Sequence, residues 1–211
     1  MIEATVRLSG HEAWVAGAVR GHYPEVGTLL DHLRAFAPRG IGLGISFDEL
    51  TGLHDHFVQR PAEPLVPLTA TETAELLGLA RFGEVRVPNP AYLAVLEWAQ
   101  GETVPVEALE VSDEQYSQLF GDHISYLELV GRTLRERRLT RAPPAAKSAD
   151  DYALRWEGSV ARGGGSQRFL AARTEAIGSA ARRLANRFGR VAIVVDRERF
   201  DAVVGILRSA S

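Results

Sequence analysis

Apolar and polar residues alternate from Ile2 to Leu8, the period of a half-buried strand. Gly10-His11 marks a turn, and Ala13 to Val19 reads as a second strand, so the pair predicts a hairpin. Pro24 opens a helix with Leu29, Leu30, Leu33 and Phe36 on one face. Gly40 to Ile45 reads as a short buried strand, and Ser46 with Glu49 forms a capping-box pattern before Leu50, Leu53 and Phe57. Residues 59–68, with Pro61, Pro64 and Pro67, predict a loop; Thr69 and Glu72 cap a helix to about Arg81. Glu84 to Val87 reads as a short strand, and Pro88-Asn89-Pro90 resets the chain into a helix with Tyr92, Leu93, Leu96 and Trp98. Val104 to Val111 alternates as a strand. Ser112 caps a helical stretch that Gly121 should break and that resumes from Ile124 to Leu139. Residues 140–149 read as a linker, followed by helices from Asp150 to Ala161 and Ser166 to Phe188. A β-branched strand, Arg190 to Asp196, and a helix from Glu198 to Arg208 close the pattern.

Strands mixed with helices of this length predict an α/β fold. The expected architecture is a central mostly parallel or mixed sheet flanked by helices, with an N-terminal β-hairpin and long C-terminal helices. One domain over residues 1–211 is expected, with a helical insertion or arm at about 112–165.

Composition narrows the chemistry. The 211 residues include no Cys, which removes disulfides, thiol catalysis and thiolate metal sites. Lys147 is the only lysine among 24 Lys+Arg, so there is no lysine-bearing phosphate loop and little scope for Schiff bases. No apolar run approaches a membrane span, and Met1-Ile2-Glu3-Ala4 lacks a signal-peptide pattern, so the expectation is cytoplasmic. Scarce Asn, Cys and Met fit a thermophile and equally a G+C-rich genome. The net charge of −3 conceals a split. Residues 1–131 hold 7 Lys+Arg against 19 Asp+Glu, and residues 132–211 hold 17 against 8.

The obvious motifs are weak. His54 and His56 lie two residues apart on a helix, about 200° around its axis, and cannot share a metal. His11, His32 and His123 have no partner at ligand spacing. Gly40, Gly42 and Gly44 lie inside a strand, which predicts close backbone packing instead of a phosphate loop. Gly163-Gly164-Gly165 opens a helix between Arg162 and Arg168, an anion-site pattern that a plain loop also explains. Arginine runs at 132–141 and 182–190 could neutralise phosphates, but Phe188 is the one aromatic among them.

The order of these blocks resembles the TraB/ChaN-like superfamily, which includes pheromone-shutdown proteins and Tiki-type metalloproteases. The likeness is carried by Val15-Ala16-Gly17-Ala18-Val19-Arg20-Gly21-His22, then Pro38 to Ile45, then Glu49-Leu50, then Arg173-Thr174-Glu175, then Val191 to Arg197. In the family, G-x-x-H motifs close the first and the late strand, and an acidic residue ends the strand between them; those groups are thought to bind metal. Here Arg20 stands at the first histidine, Gly44 at the acidic residue, and Val195-Asp196-Arg197-Glu198 at the second motif. The resemblance therefore implies the fold without the family's metal ligands, and neither metal nor cofactor is expected.

Carboxyl ends of parallel strands form the ligand crevice of α/β sheets. The expected ligand-binding set there is Arg20, His22, Arg173, Glu175, Asp196 and Arg197, an arginine–carboxylate network for an anionic ligand or a protein partner. The resemblance suggests a non-catalytic binding, regulatory or scaffold protein that can form homo-oligomers. The alternative is a hydrolase with an altered site, using Glu175, Asp196 or His22 as general base. Nucleic-acid binding through the basic C-terminal part is weaker still. If the last strand joins the N-terminal ones, many arginines after residue 131 should pair with carboxylates before it.

Overall fold

The computed structural model describes residues 1–8, 10–59 and 68–209. The hairpin forms from β1 (Ile2–Leu8) and β2 (His11–Ala18), antiparallel from Ile2↔Gly17 to Leu8↔His11. Gly10 makes the turn at φ +94°, a conformation that costs glycine little. After a 3-10 turn at Tyr23–Glu25 come α1 (Val26–Phe36), β3 (Gly40–Leu43) and α2 (Phe47–Gln59). Next are α3 (Ala70–Leu79), α4 (Pro90–Gly101) and β4 (Val106–Ala108). Then follow α5 (Asp113–His123), α6 (Tyr126–Arg141), α7 (Ala149–Val160) and α8 (Gly164–Phe188). The strand β5 (Arg190–Asp196) and α9 (Arg197–Arg208) end the described chain. The predicted loop at 59–68 falls mostly on residues 60–67, outside the described residues.

The five strands lie in the order β1-β2-β5-β3-β4, parallel except for the hairpin. The mixed α/β sheet expected from the sequence is therefore present. β5 sits between β2 and β3, where both faces are covered, which explains its near-continuous Val191-Ala192-Ile193-Val194-Val195 run. Val15, Val191, Ile193 and Val195 pack on one face beneath α8 and α9. Trp14, Ala16, Ala192, Val194, Ile41 and Leu43 pack on the other against α1, α2 and α4. Leu79, Leu139, Tyr152 and Trp156 join α3, α6 and α7 in a third cluster, which meets the sheet through Val19, just past β2. These three helices form a cap over the carboxyl end of β2.

Some boundaries differ from the pattern. Glu84 to Val87 contributes one bridge, Val85 to His22, and Pro88, which has no N–H to donate, follows it. The strand expected over 104–111 shortens to three residues, at the edge of the sheet. Gly121 stays inside α5; the break falls at Ile124, which turns extended before Ser125 caps α6. The 140–149 stretch is no free tether, since Leu139, Ala146 and Ala149 pack into one apolar cluster. Gly40, Gly42 and Gly44 do serve close packing: a Cβ would strike Phe188, Leu109 and Val195 respectively. No helix among the described residues is long and apolar enough to cross a membrane.

Candidate functional site

The parallel strands β2, β5, β3 and β4 end on the same side of the sheet. Arg20 follows β2, Asp196 ends β5, and Glu110 follows β4. Helices supply the walls: Glu49 from α2, Glu75 from α3, Tyr92 from α4, Glu157 from α7, Arg173 from α8, and Glu198 with Arg199 from α9.

Asp196 is the electrostatic centre. Tyr92 is buried, and its hydroxyl donates to Asp196 Oδ1 at 2.8 Å. Burial first, then the Asp196 charge, pushes this phenol well above its usual range, so it remains a donor. Arg20 stands on this side of the sheet with 56% of its side chain exposed to water. Its nearest acidic contact is Glu49 Oε1, at 3.5 Å. The charge of Asp196 stabilises the Arg20 cation most, and Glu49 adds to it.

The remaining carboxyls crowd one another. Burial raises Glu49 despite Arg20, and raises Glu157 despite Arg199 at 3.0 Å. Glu75 is pushed up to about 7, first by burial and then by Asp196, against the pull of Arg20. Burial, Asp196 and Glu157 likewise push Glu198 well above the ordinary range. Two glutamates thus retain protons near neutral pH.

Closed pairs brace the sides. Arg173 Nε donates to Glu110, whose side chain is 7% exposed, and the guanidinium lies 4.9 Å from the Tyr116 ring centre. Arg199 closes on Glu157. Arg20 pairs with Glu49 more loosely, at 3.5 Å, with the two side chains 56% and 47% exposed.

The structure thus gathers Arg20, Asp196 and Arg173 of the expected set. It places the other three elsewhere. His22 is 7% exposed, with Nδ1 at 3.2 Å from Glu25 Oε1 and Nε2 at 3.3 Å from the Phe82 carbonyl. Both ring nitrogens are engaged, so the ring is a strut under the 3-10 turn and has no nitrogen to spare as base or ligand. Glu175 lies two residues from Arg173, about 200° around α8, and pairs in solvent with Arg182. Arg197 turns into the α7–α9 contact, within 3.1 Å of both Asp150 and Asp201. Among the described residues, no group of three or more His, Asp or Glu is arranged to hold a metal ion.

Tyr92, Glu49, Glu75, Glu110, Glu157, Glu198 and Arg199 were not anticipated. Glu198 and Arg199 had a signal, adjacency to a strand end. Glu49 was legible as a cap and as part of the resemblance, not as a crevice residue; it fills the capping role by accepting from the Ser46 N–H at 3.2 Å. Glu75 carried none, because α3 reaches the crevice by tertiary packing alone.

The anion pattern at the start of α8 is occupied from within. Glu128 of α6 accepts from the N–H groups of Gly165 at 3.1 Å and Ser166 at 2.6 Å. These bonds hold its carboxyl below the ordinary range. Two apolar concavities, one between α3 and Gly83–Val87 and one between α2, α4 and β4, lie away from these charges. No protein-family model matches the chain, and no curated protein matches it.

Proposed function

We propose that this chain is a non-catalytic binding protein of the TraB/ChaN-like type, in which the arginine–carboxylate crevice replaces the family's metal site. The carrying observation is Arg20. A network that merely plugged a vacated site would close on itself, as Arg173–Glu110 and Arg199–Glu157 do. Arg20 instead meets Glu49 only at 3.5 Å and keeps more than half of its side chain in water. Its guanidinium fork suits a carboxylate, sulfate or phosphate group. Gly44 supports the same reading. It holds the position of the family's acidic residue, and a Cβ there would lie 2.9 Å from Val195.

The crowding acids set the condition for anion binding. Glu75 is half protonated at about pH 7, and each proton gained removes a repulsive charge. Sulfate, which does not titrate in this range, is the probe. Calorimetric titration should show binding that tightens from pH 8.5 to pH 6 and disappears in Arg20→Gln. Binding that ignores Arg20 overturns the proposal.

One observation favours the second reading, a hydrolase with an altered site. Carboxyls that keep a proton beside ionised neighbours form the pattern of general acid–base pairs. Glu75 and Glu198 now join Asp196 as its carriers, in place of Glu175 and His22. Ester or peptide hydrolysis that falls in both Glu75→Gln and Asp196→Asn would establish it over the first.

A further inference from the structure

Helix α6 has two unlike faces. Its inner face is fully engaged. Leu139 packs into the cluster with α3 and α7, and Glu128 takes the amides at the start of α8. Arg135 Nε donates to the Val160 carbonyl at 3.3 Å, and Arg132 Nε pairs with Glu136 at 2.8 Å. The opposite face is exposed along its whole length. Its first half presents Tyr126, Leu127, Val130 and Leu134, and its second half Arg137, Arg138 and Arg141. At 100° per residue these side chains fall within a sector about 120° wide. Residues three or four apart on a helix touch, so the four apolar side chains form one patch. A lone exposed leucine is ordinary, whereas a contiguous patch marks a binding surface.

The arginines are not spent on internal pairs. Among the described residues no carboxylate pairs with Arg137, Arg138 or Arg141, whereas Arg132 is closed on Glu136. The acids of this helix are Glu128 and Glu136, and both face inward. The outer face is therefore apolar at one end and positive at the other. We infer that it docks peripherally on an anionic lipid surface, with the four apolar side chains entering the acyl boundary and the three arginines meeting phosphate groups.

Charge complementarity selects the occupant, because a positive face free of acids is drawn to a dense negative surface. The whole chain carries −3, so the attraction belongs to this face and acts at short range. Shape favours lipid over an acidic protein. The patch is a ridge on one helix, and Tyr126 and Leu127 are 78% and 81% exposed. A fluid interface closes around side chains that project so freely, whereas a protein partner needs a matching groove. Nucleic acid would meet the arginines and leave the apolar side chains in water. The order along the axis also fits. Tyr126 to Leu134 spans about 12 Å, and the arginines occupy the next two turns. The helix thus lies tilted, its start deeper than its end, within the roughly 5–10 Å that amphipathic helices reach. The contact is peripheral, since no described helix is long and apolar enough to cross a membrane.

Co-sedimentation with vesicles tests this. The unmodified chain should pellet with equimolar phosphatidylcholine–phosphatidylglycerol vesicles at low salt, dissociate as salt rises, and stay in solution with phosphatidylcholine alone. Each arginine beside such a surface contributes about fivefold, so replacing Arg137, Arg138 and Arg141 together by Gln should weaken binding about a hundredfold. Leu127→Gln with Leu134→Gln should weaken it by roughly tenfold or more. Val58→Gln, an exposed apolar position on α2, should leave it unchanged. A chain that ignores anionic vesicles at low salt overturns the proposal. So does binding that the folded leucine pair retains in full, or that neutral vesicles match. A DNA duplex captured by the same arginines while vesicles stay bare also overturns it, and assigns the face to nucleic acid. If the leucine pair fails to fold, the arginine variant and the comparison of lipids decide.

Discussion

Glu75 retains a proton that an exposed glutamate would release. Its carboxyl titrates at about 7 instead of 4.5, so on raising the pH the unfolded chain loses the proton first. The folded state then binds more protons than the unfolded one, and stability falls as pH rises from 4.5 through 7. Below that window both states are protonated and this group contributes no pH dependence. Glu75→Gln should therefore stabilise the protein at pH 8, by about 1–3 kcal/mol, and change little at pH 4. Urea unfolding at the two pH values measures it. At this scale the sequence was informative wherever a residue follows a strand. Arg20 and Asp196 reach the crevice because parallel strands end together. Arg173, Glu175 and Arg197 are helical, and their fate turned on rotation about the axis. Arg173 faces Glu110. Arg197 faces Asp150.

Between elements, distance of approach is set by glycine. The strand β3 has glycines on one face, and Leu109 from beyond β4 fills the space above Gly42, where a Cβ would lie 2.5 Å from a Leu109 methyl. Leu109 is 3% exposed and has little room to withdraw. Gly42→Ala should destabilise the fold by about 1–3 kcal/mol through overpacking. Thermal melts would show it, and a paired Leu109→Ala should relieve part of the loss. Capping chemistry was equally local: the boxes at Ser46–Glu49, Thr69–Glu72 and Ser112–Gln115 are all formed. Helix interruptions were harder to read. Gly121 meets no neighbour and is tolerated inside α5, whereas Gly163 to Gly165 let Glu128 approach the start of α8.

Over the whole molecule, the charge split does not divide it into an acidic and a basic module. β5 lies between β2 and β3, so the basic part provides a central strand of a sheet whose other strands come from the acidic part. Pairing across the split is more limited than expected. Arg173–Glu110, Arg187–Glu107 and Arg190–Glu12 cross it. Arg132, Arg155, Arg182, Arg197 and Arg199 pair with acids of their own portion. Three of these, Arg132–Glu136, Arg155–Asp151 and Arg197–Asp201, are neighbours four apart on one helix, and Arg199–Glu157 joins α9 to α7. Residues 1–131 and 132–211, expressed apart, should each lack cooperative unfolding, since neither can cover both faces of β5. A sharp thermal transition in either piece would contradict this topology.

The sequence by itself determined which segments alternate, which turn, where most helices are capped and which chemistries composition removes. These follow from interactions within a few residues. Tertiary structure decided that α3 and α7 bring Glu75 and Glu157 to the strand ends, that His22 is a strut, and that Arg20 stands open among acids. Such outcomes depend on contacts between residues far apart in the chain, where a small rotation of a helix exchanges a crevice wall for solvent.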